Sequence, residues 1–287
     1  MASEQSVRYC PNIYVMDMDI ENVTQELRTA YERGQMIAVL PSSLTGFDLD
    51  AAYRVEAALK RWREASGYRS VGLKVGYANK ALWRILKLET LVWAHMYEDT
   101  VHYSANNSAS LSIPNTRSLK IEPEIVFGLK APLATQELDA AAALSATDWI
   151  AIGFEIIDCP FPKWEFQPSD FVASFGLHAA LVVGERVSVD SEPISSVIEK
   201  LSGFKVRMFK NGQFIEEGVG RNSLRSPALC LAELGVAVQK RTPGECLRAG
   251  EIVSSGTLTA GHLTEKGDQW RVEIEGLPLP TLTLQLA

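Results

Sequence analysis

The chain has 287 residues, of which 46% are hydrophobic and 22% charged, enough apolar material for a sizeable buried core and the balance of an ordinary globular protein. A net charge of −7 argues against a nucleic-acid binder, which needs a basic face to meet phosphates. No apolar run is long enough to cross a bilayer, and the opening MASEQSVRYCPN has no signal-peptide pattern, so a cytoplasmic protein with no membrane partner is expected.

In chain order, Ile20, Val23, Leu27, Ala30 and Tyr31 fall on one face of a helix over residues 20–33, with Gly34 as its stop. A second helix follows Thr45-Gly46, with Asp48 as cap, and ends at Ser66-Gly67. Val71–Val75 reads as a short strand and Lys80–Leu88 as a further helix. From Leu91 short apolar runs dominate: Leu91–Tyr97, Leu119–Leu129, Trp149–Ile157, Ala180–Val189, Phe204–Phe209, Glu251–Leu258 and Trp270–Leu286. Asn211-Gly212 marks a hairpin. Helices are expected near Gln136–Leu144 and Pro227–Gln239, and the polar Ser104–Ser118 region is expected to be a mobile loop placed to act as a lid. The division expected is a helical part over residues 1–90 and a β-rich metal-binding part over 91–287.

Cys10, Cys159, Cys230 and Cys246 show no CxxC spacing and read as thiols of a reducing compartment. The four histidines form no HxxxH or HExxH pair. The carboxylates carry the chemical signal. In Leu119–Leu129, the apolar residues Leu119, Ile121, Ile125, Phe127 and Leu129 share one strand face, and Glu122 and Glu124 share the other. Two adjacent carboxylates repel unless a hard cation lies between them. Glu155 is the sole charge in the apolar run Trp149–Ile157, where a lone ionised group is costly unless paired or metal-bound. Three carboxylates from two strands suit Mg²⁺ or Mn²⁺. The competing account is a solvated Glu122/Glu124 face, with Glu155 paired to a lysine or arginine.

Several segments resemble the fumarylacetoacetate hydrolase superfamily, and most closely its branch of 2-oxopent-4-enoate hydratases and 4-oxalocrotonate decarboxylases. They are Ala52-Tyr53-Arg54-Val55-Glu56, Gly72-Leu73-Lys74-Val75-Gly76, the strand Ile121–Phe127, the stretch Phe154–Asp158 and Gly250–Thr259. The resemblance runs over most of the chain. It implies an α+β fold: a mixed β-roll like the C-terminal domain of fumarylacetoacetase, with a helical N-terminal part. It also implies a homo-oligomer. The implied activity is that of a metal-dependent lyase, a hydratase or decarboxylase, on a small 2-oxo or 2-hydroxy-dienoate acid. The metal ligands would be Glu122, Glu124 and Glu155, and the ion would act as a Lewis acid on an enolate. Lys74 matches the branch's lysine, a candidate for proton handling or substrate binding. His95 and Asp99, on the segment expected to approach the site, are candidate acid/base groups, and Ser255 and Thr257 candidate contacts for the substrate carboxylate.

The departures fall on the groups that set the reaction. Ser174 and Phe175 stand where the hydratases carry Asp-Asn, and Tyr77-Ala78-Asn79 replaces their Leu-Thr-Ser. Lys163-Trp164-Glu165-Phe166 is similar to a segment of the superfamily's C–C hydrolases, but Ala173 replaces their lysine and Pro162 their glutamine. A C–C hydrolase of an acylpyruvate-like acid, or a binding protein that has lost turnover, therefore stay open as alternatives.

Overall fold

The structure, a computed structural model, describes residues 19–114, 116–134 and 137–287; Cys10 and the opening segment lie outside them, as does Gln136. The N-terminal helices form where the local signals place them. In α1 (Ile20–Arg33) Asp19 accepts hydrogen bonds from the amides of Glu21 and Asn22, and Gly34 closes the helix at φ 62°. In α2 (Leu49–Ala65) Asp48 caps the amide of Ala51, and in α3 (Lys80–Leu86) Asn79 caps Ala81.

The strands are β1 (Ser70–Gly76), β2 (Val92–Tyr97), β3 (Val101–Tyr103), β4 (Ser108–Leu111), β5 (Leu119–Leu129), β6 (Thr147–Asp158), β7 (His178–Val183), β8 (Val187–Ser188), β9 (Lys205–Lys210), β10 (Gln213–Val219), β11 (Ile252–Ser254), β12 (His262–Thr264), β13 (Gln269–Glu275) and β14 (Leu282–Leu286). The later helices are α4 (Ala140–Ser145), α5 (Pro168–Ala173), α6 (Ile194–Gly203) and α7 (Pro227–Arg241). A nine-stranded mixed sheet runs β2-β1-β11-β5-β6-β7-β3, with β12 also on β5 and β8 on β6; a five-stranded sheet runs β10-β9-β13-β14-β4. This is the α+β β-roll expected. β1 lies within the first 90 residues yet is hydrogen-bonded between β2 and β11.

Several runs break where the chain must turn. Ala180–Val189 divides into β7 and β8 after Gly184, and Trp270–Leu286 into β13 and β14. Glu251–Leu258 stays a strand only to Ser254. The Ser104–Ser118 expectation needs correction: Ser108–Leu111 forms β4, parallel to β14. Its end is pinned by Asp158, which accepts from the amides of Arg117 and Ser118 and pairs with the Arg117 guanidinium at 2.7 Å. None of its described residues lines the main cleft. Helices α5 and α6 were not legible from periodicity; α5 is buried on every side and so shows no polar face.

The centre of the nine-stranded sheet sets up the site. β5 and β6 pair antiparallel along their whole length, with Glu122 opposite Glu155 and Glu124 opposite Gly153. The other edge of β5 is covered at its two ends, by β12 over Leu119–Ile121 and by β11 over Val126–Gly128. Between them the segment 255–261 arches away, touching β5 through Ser255 N to Ile125 O and Leu258 N to Pro123 O. Pro123 is tolerated mid-strand because its missing N–H faces this arch, on the side where its carbonyl bonds Leu258, rather than the β6 ladder. Beneath the glutamates Val126, Ala151, Leu181, Val183 and Ile252 form a small apolar cluster. The opposite face of the sheet packs into the main core.

Candidate metal centre and cleft

Glu122, Glu124 and Glu155 project from the same face of β5 and β6, and one carboxylate oxygen from each lies within 4.8 Å of the others. Two oxygens on one Mg²⁺, at about 2.1 Å each, stand at most about 4.2 Å apart, so a small inward shift completes the fit. Each carboxylate is held differently. Glu124 Oε2 accepts from Ser254 Oγ at 2.6 Å and Gly256 N at 2.8 Å, while its Oε1 is buried with no hydrogen-bond partner. Glu155 Oε2 lies 2.9 Å from Lys74 Nζ, and its Oε1 shares a 3.0 Å hydrogen bond with His178 Nδ1. The far nitrogen of His178 meets Thr100 Oγ1 at 3.0 Å. Glu122 lines the cleft, close under Gly261, where an added Cβ would stand 2.6 Å from its Oε1. The arch passes this near only because position 261 carries no side chain.

The electrostatics follow from burial. Desolvation pushes the Glu122 carboxyl up to about 7 against the pull of Lys74. Glu124 is raised well above the ordinary range by burial and by Glu155. Burial pushes Glu155 the same way, but Lys74 and His178 outweigh it and hold its carboxyl below the ordinary value. Burial alone would depress Lys74; the three glutamates instead keep its ammonium raised. Three carboxylates and one buried ammonium leave a deficit of two positive charges, which a divalent ion meets. The orphaned Glu124 oxygen, the convergent all-oxygen donor set and this deficit all fit Mg²⁺ or Mn²⁺. The two sequence accounts of Glu155 thus combine, since it converges with the other glutamates and also pairs with a lysine.

The glutamates lie at the foot of a cleft of about 770 Å³, walled by Lys74, Gly76, Tyr77, Trp164, Phe166 and Phe171 among others. Lys74 is buried, donates to Gly176 O at 3.1 Å and lies 4.9 Å from the Phe171 ring centre. Thr257 also lines the cleft, its hydroxyl donating to Thr259 O at 2.9 Å. Ser255 does not line it. Its carbonyl accepts from Ser223 Oγ and Cys230 Sγ on the far side, and its hydroxyl is buried without a partner. The neighbouring Ser254 reaches the glutamates instead.

His95 and Asp99 are not brought to the cleft. His95 sits opposite Leu73 on the β1–β2 ladder, and strand alternation sends both to the face away from Lys74. Its Nδ1 meets Glu56 Oε1 at 2.6 Å. Asp99 pairs with Arg63. Sequence reasoning missed His178, which opens an apolar run with no motif around it. It also missed Arg221 and Arg225, which lie on the cleft wall between two recognised elements. Cys159 and Cys230 are buried free thiols, and burial pushes Cys159 up to about 11.

No family model matches the sequence. The chain is 28% identical over 258 residues to the 2-hydroxyhexa-2,4-dienoate hydratase of Comamonas testosteroni, covering 90% of this chain and 94% of that one. It is 28% identical over 230 residues to the 4-oxalocrotonate decarboxylase of Pseudomonas sp. (strain CF600), covering 79% and 81%. Among solved structures, the 4-oxalocrotonate decarboxylase of Pseudomonas putida G7, complexed with magnesium and adipate, superposes with a TM-score of 0.83 at 23% identity, covering 93% of this chain and 97% of that one. The fumarylpyruvate hydrolase of Pseudomonas aeruginosa, in complex with Mn²⁺ and pyruvate, reaches 0.57 at 16% identity over 76% and 89%. The chain is thus similar along nine-tenths of its length to a 2-hydroxy-dienoate hydratase, and along four-fifths to a 4-oxalocrotonate decarboxylase, and it shares the fold of a solved 4-oxalocrotonate decarboxylase.

Proposed function

We propose that this protein is a divalent-metal-dependent lyase of the hydratase/decarboxylase type, acting on a small 2-oxo or 2-hydroxy-dienoate acid. The observation that carries the reading is the convergence of Glu122, Glu124 and Glu155 beside a buried lysine at the foot of a cleft. A Mg²⁺ or Mn²⁺ ion held by the three carboxylates would supply Lewis acidity toward the oxygens of a 2-oxo acid. Lys74 presents its ammonium at the same place, positioned to hold the substrate's acid end or to move a proton at Nζ. Thr257 and the Gly256 backbone form the adjoining wall. Tyr77, Trp164, Phe166 and Phe171 exclude water from the carbon chain. The reading gives His95 and Asp99 roles in holding β2 rather than contact with substrate.

We further read the protein as a cytoplasmic homo-oligomer. No helix among the described residues is long and apolar enough to cross a membrane. Phe214 and Leu263 are 58% and 63% exposed, apolar area that a second copy would cover. C–C hydrolysis is the second reading, favoured by Trp164 and Phe166 of the hydrolase-like segment lying on the cleft wall.

The test is a panel of acids with added Mg²⁺ or Mn²⁺. Ultraviolet loss of 2-hydroxypenta-2,4-dienoate would support hydration. Release of CO₂ from a 2-oxo-enedioate would support decarboxylation, and pyruvate from an acylpyruvate the hydrolase. Turnover of none, with no metal-dependent binding of any, would overturn the proposal.

A further inference from the structure

Lys74 and Glu155, which pair at 2.9 Å, are both held by one turn. Gly176 O accepts from Lys74 Nζ at 3.1 Å, and a little further along the chain His178 Nδ1 meets Glu155 Oε1 at 3.0 Å. The His178 side chain is 2% exposed. An ionised carboxylate only accepts, so Nδ1 carries the hydrogen of that bond. A carboxylate offers about four lone-pair sites, so the contacts from Lys74 and His178 still leave Glu155 room to meet a cation. On the far side of the ring Nε2 meets Thr100 Oγ1 at 3.0 Å, and that hydroxyl also accepts from Tyr97 N at 3.3 Å. The imidazole is therefore gripped at both nitrogens.

Two departures from regular backbone bring these atoms into place. Phe175, Gly176 and Leu177 are consecutive residues in the left-handed region, at φ 54°, 60° and 58°. Non-glycine residues rarely adopt it, and they persist there only where the surroundings over-determine them, most often at functional sites. Here the surroundings are aromatic: the Phe175 ring lies 4.8 Å from that of Tyr31 and 6.2 Å from that of Tyr97. The turn also passes close to the lysine, since a Cβ added at Gly176 would stand 2.7 Å from Lys74 Cδ. Beyond the turn, β7 carries an extra residue. Ile156 pairs with Ala180 but Ile157 with His178, which leaves Ala179 as a bulge. Leu181 stands opposite Glu155, and regular alternation from there would send His178 into the main core with Ala180 and Val182. The bulge turns it instead to the face of Glu155.

A histidine that merely filled the core would need neither the strained turn nor the bulge. We infer that His178 is a positioning residue for the cation: its Nδ1–H fixes the plane of the Glu155 carboxylate, and the left-handed turn at Phe175–Leu177 and the bulge at Ala179 aim it there. Without that hydrogen bond Glu155 is free to rotate onto the Lys74 ammonium and away from Glu122 and Glu124. A group behind a ligand acts on metal affinity by holding the ligand in its binding orientation. Ser174 and Phe175, where this chain departs from the hydratases, stand at the start of the same turn. The inference rests on the metal-dependent reading of the three glutamates and adds the residue that orients the third.

Replacing the two ring nitrogens separately tests it. In His178→Asn the amide nitrogen takes the place of Nδ1 and keeps the bond to Glu155. In His178→Gln it takes the place of Nε2 and keeps only the contact with Thr100. Calorimetric titration with Mn²⁺ at one pH is expected to give an affinity within about threefold of the wild type for His178→Asn, and a loss of at least about tenfold for His178→Gln. Thr100→Val, which leaves the imidazole in place but frees its far side, should lose about threefold. Thermal unfolding of the metal-free variants separates these losses from damage to the core. Wild-type affinity in His178→Gln, or equal losses in the Asn and Gln variants, would overturn the positioning role and leave the three-glutamate site standing. Wild-type protein that binds no Mn²⁺ would remove both.

Discussion

The two sheets use the same charged residue types to opposite ends. On the five-stranded sheet Arg207 bridges Glu217 and Glu275 at 3.0 and 3.1 Å, and all three side chains are between 36% and 64% exposed. On the nine-stranded sheet Lys74 and Glu155 meet at 2.9 Å with 2% and 0% exposed. The first set is solvated, screened and interchangeable. The second has lost its water and tolerates no unmatched charge. Two buried carboxylates and a half-buried third against one ammonium would be an unstable arrangement in a merely structural sheet. That imbalance, rather than the presence of acids, marks the nine-stranded sheet as the working one.

The contrast can be broken or sharpened by substitution. The largest effects are expected at Glu155 and Lys74: Lys74→Met should lower kcat by roughly a hundredfold to ten-thousandfold, measured on the acid that the panel identifies. Glu155→Leu should abolish metal-dependent activity and, by stranding the Lys74 ammonium, cost about 3 to 5 kcal/mol in denaturant unfolding. Metal binding should depend on pH. Glu122 titrates near 7 rather than at the ordinary 4.5, so a proton must leave before a cation enters. Mn²⁺ affinity should then rise about fivefold between pH 6 and 7 for one displaced proton. A carboxyl raised in the folded state favours the fold below its unfolded pKa and loses that contribution as pH climbs through its folded value. The metal-free protein should therefore lose thermal stability as pH rises from about 5 to 8, and Mg²⁺ should restore it. Smaller still, His95→Gln should leave kcat/KM within about threefold, as suits a residue off the reacting atoms. Arg207→Ala should change unfolding stability by about 0.5 kcal/mol or less.

Much of the sheet was legible because its rules are local. Alternation along Leu119–Leu129 fixes which face Glu122 and Glu124 share, and Asp48, Gly34 and Asn211-Gly212 mark ends and turns by their own chemistry. The convergence of Glu155 was legible from its isolation in an apolar run. What escaped depends on pairing between distant segments. No local pattern reveals that Glu155 meets both Lys74, from β1, and His178, from β7. His95 looked close to the site because β2 is; the register that turns it away from Lys74 is a tertiary fact. Ser255 was off by one residue: Ser254, the last residue of β11, faces Glu124, and its neighbour Ser255 turns to the opposite side. Arg221 sits in a single 3-10 turn, Gly220–Asn222, and Arg225 in left-handed backbone, neither of which periodicity reads.

The most direct measurement is a Mn²⁺ titration followed by electron paramagnetic resonance on the wild type and on Glu122→Gln, Glu124→Gln and Glu155→Gln. One bound ion per chain in the wild type, with affinity reduced at least about tenfold in each variant while the variants remain folded, is the expected result. Wild-type protein that binds no Mn²⁺, or variants that bind it as well as the wild type, would contradict the assignment of these three carboxylates to a cation.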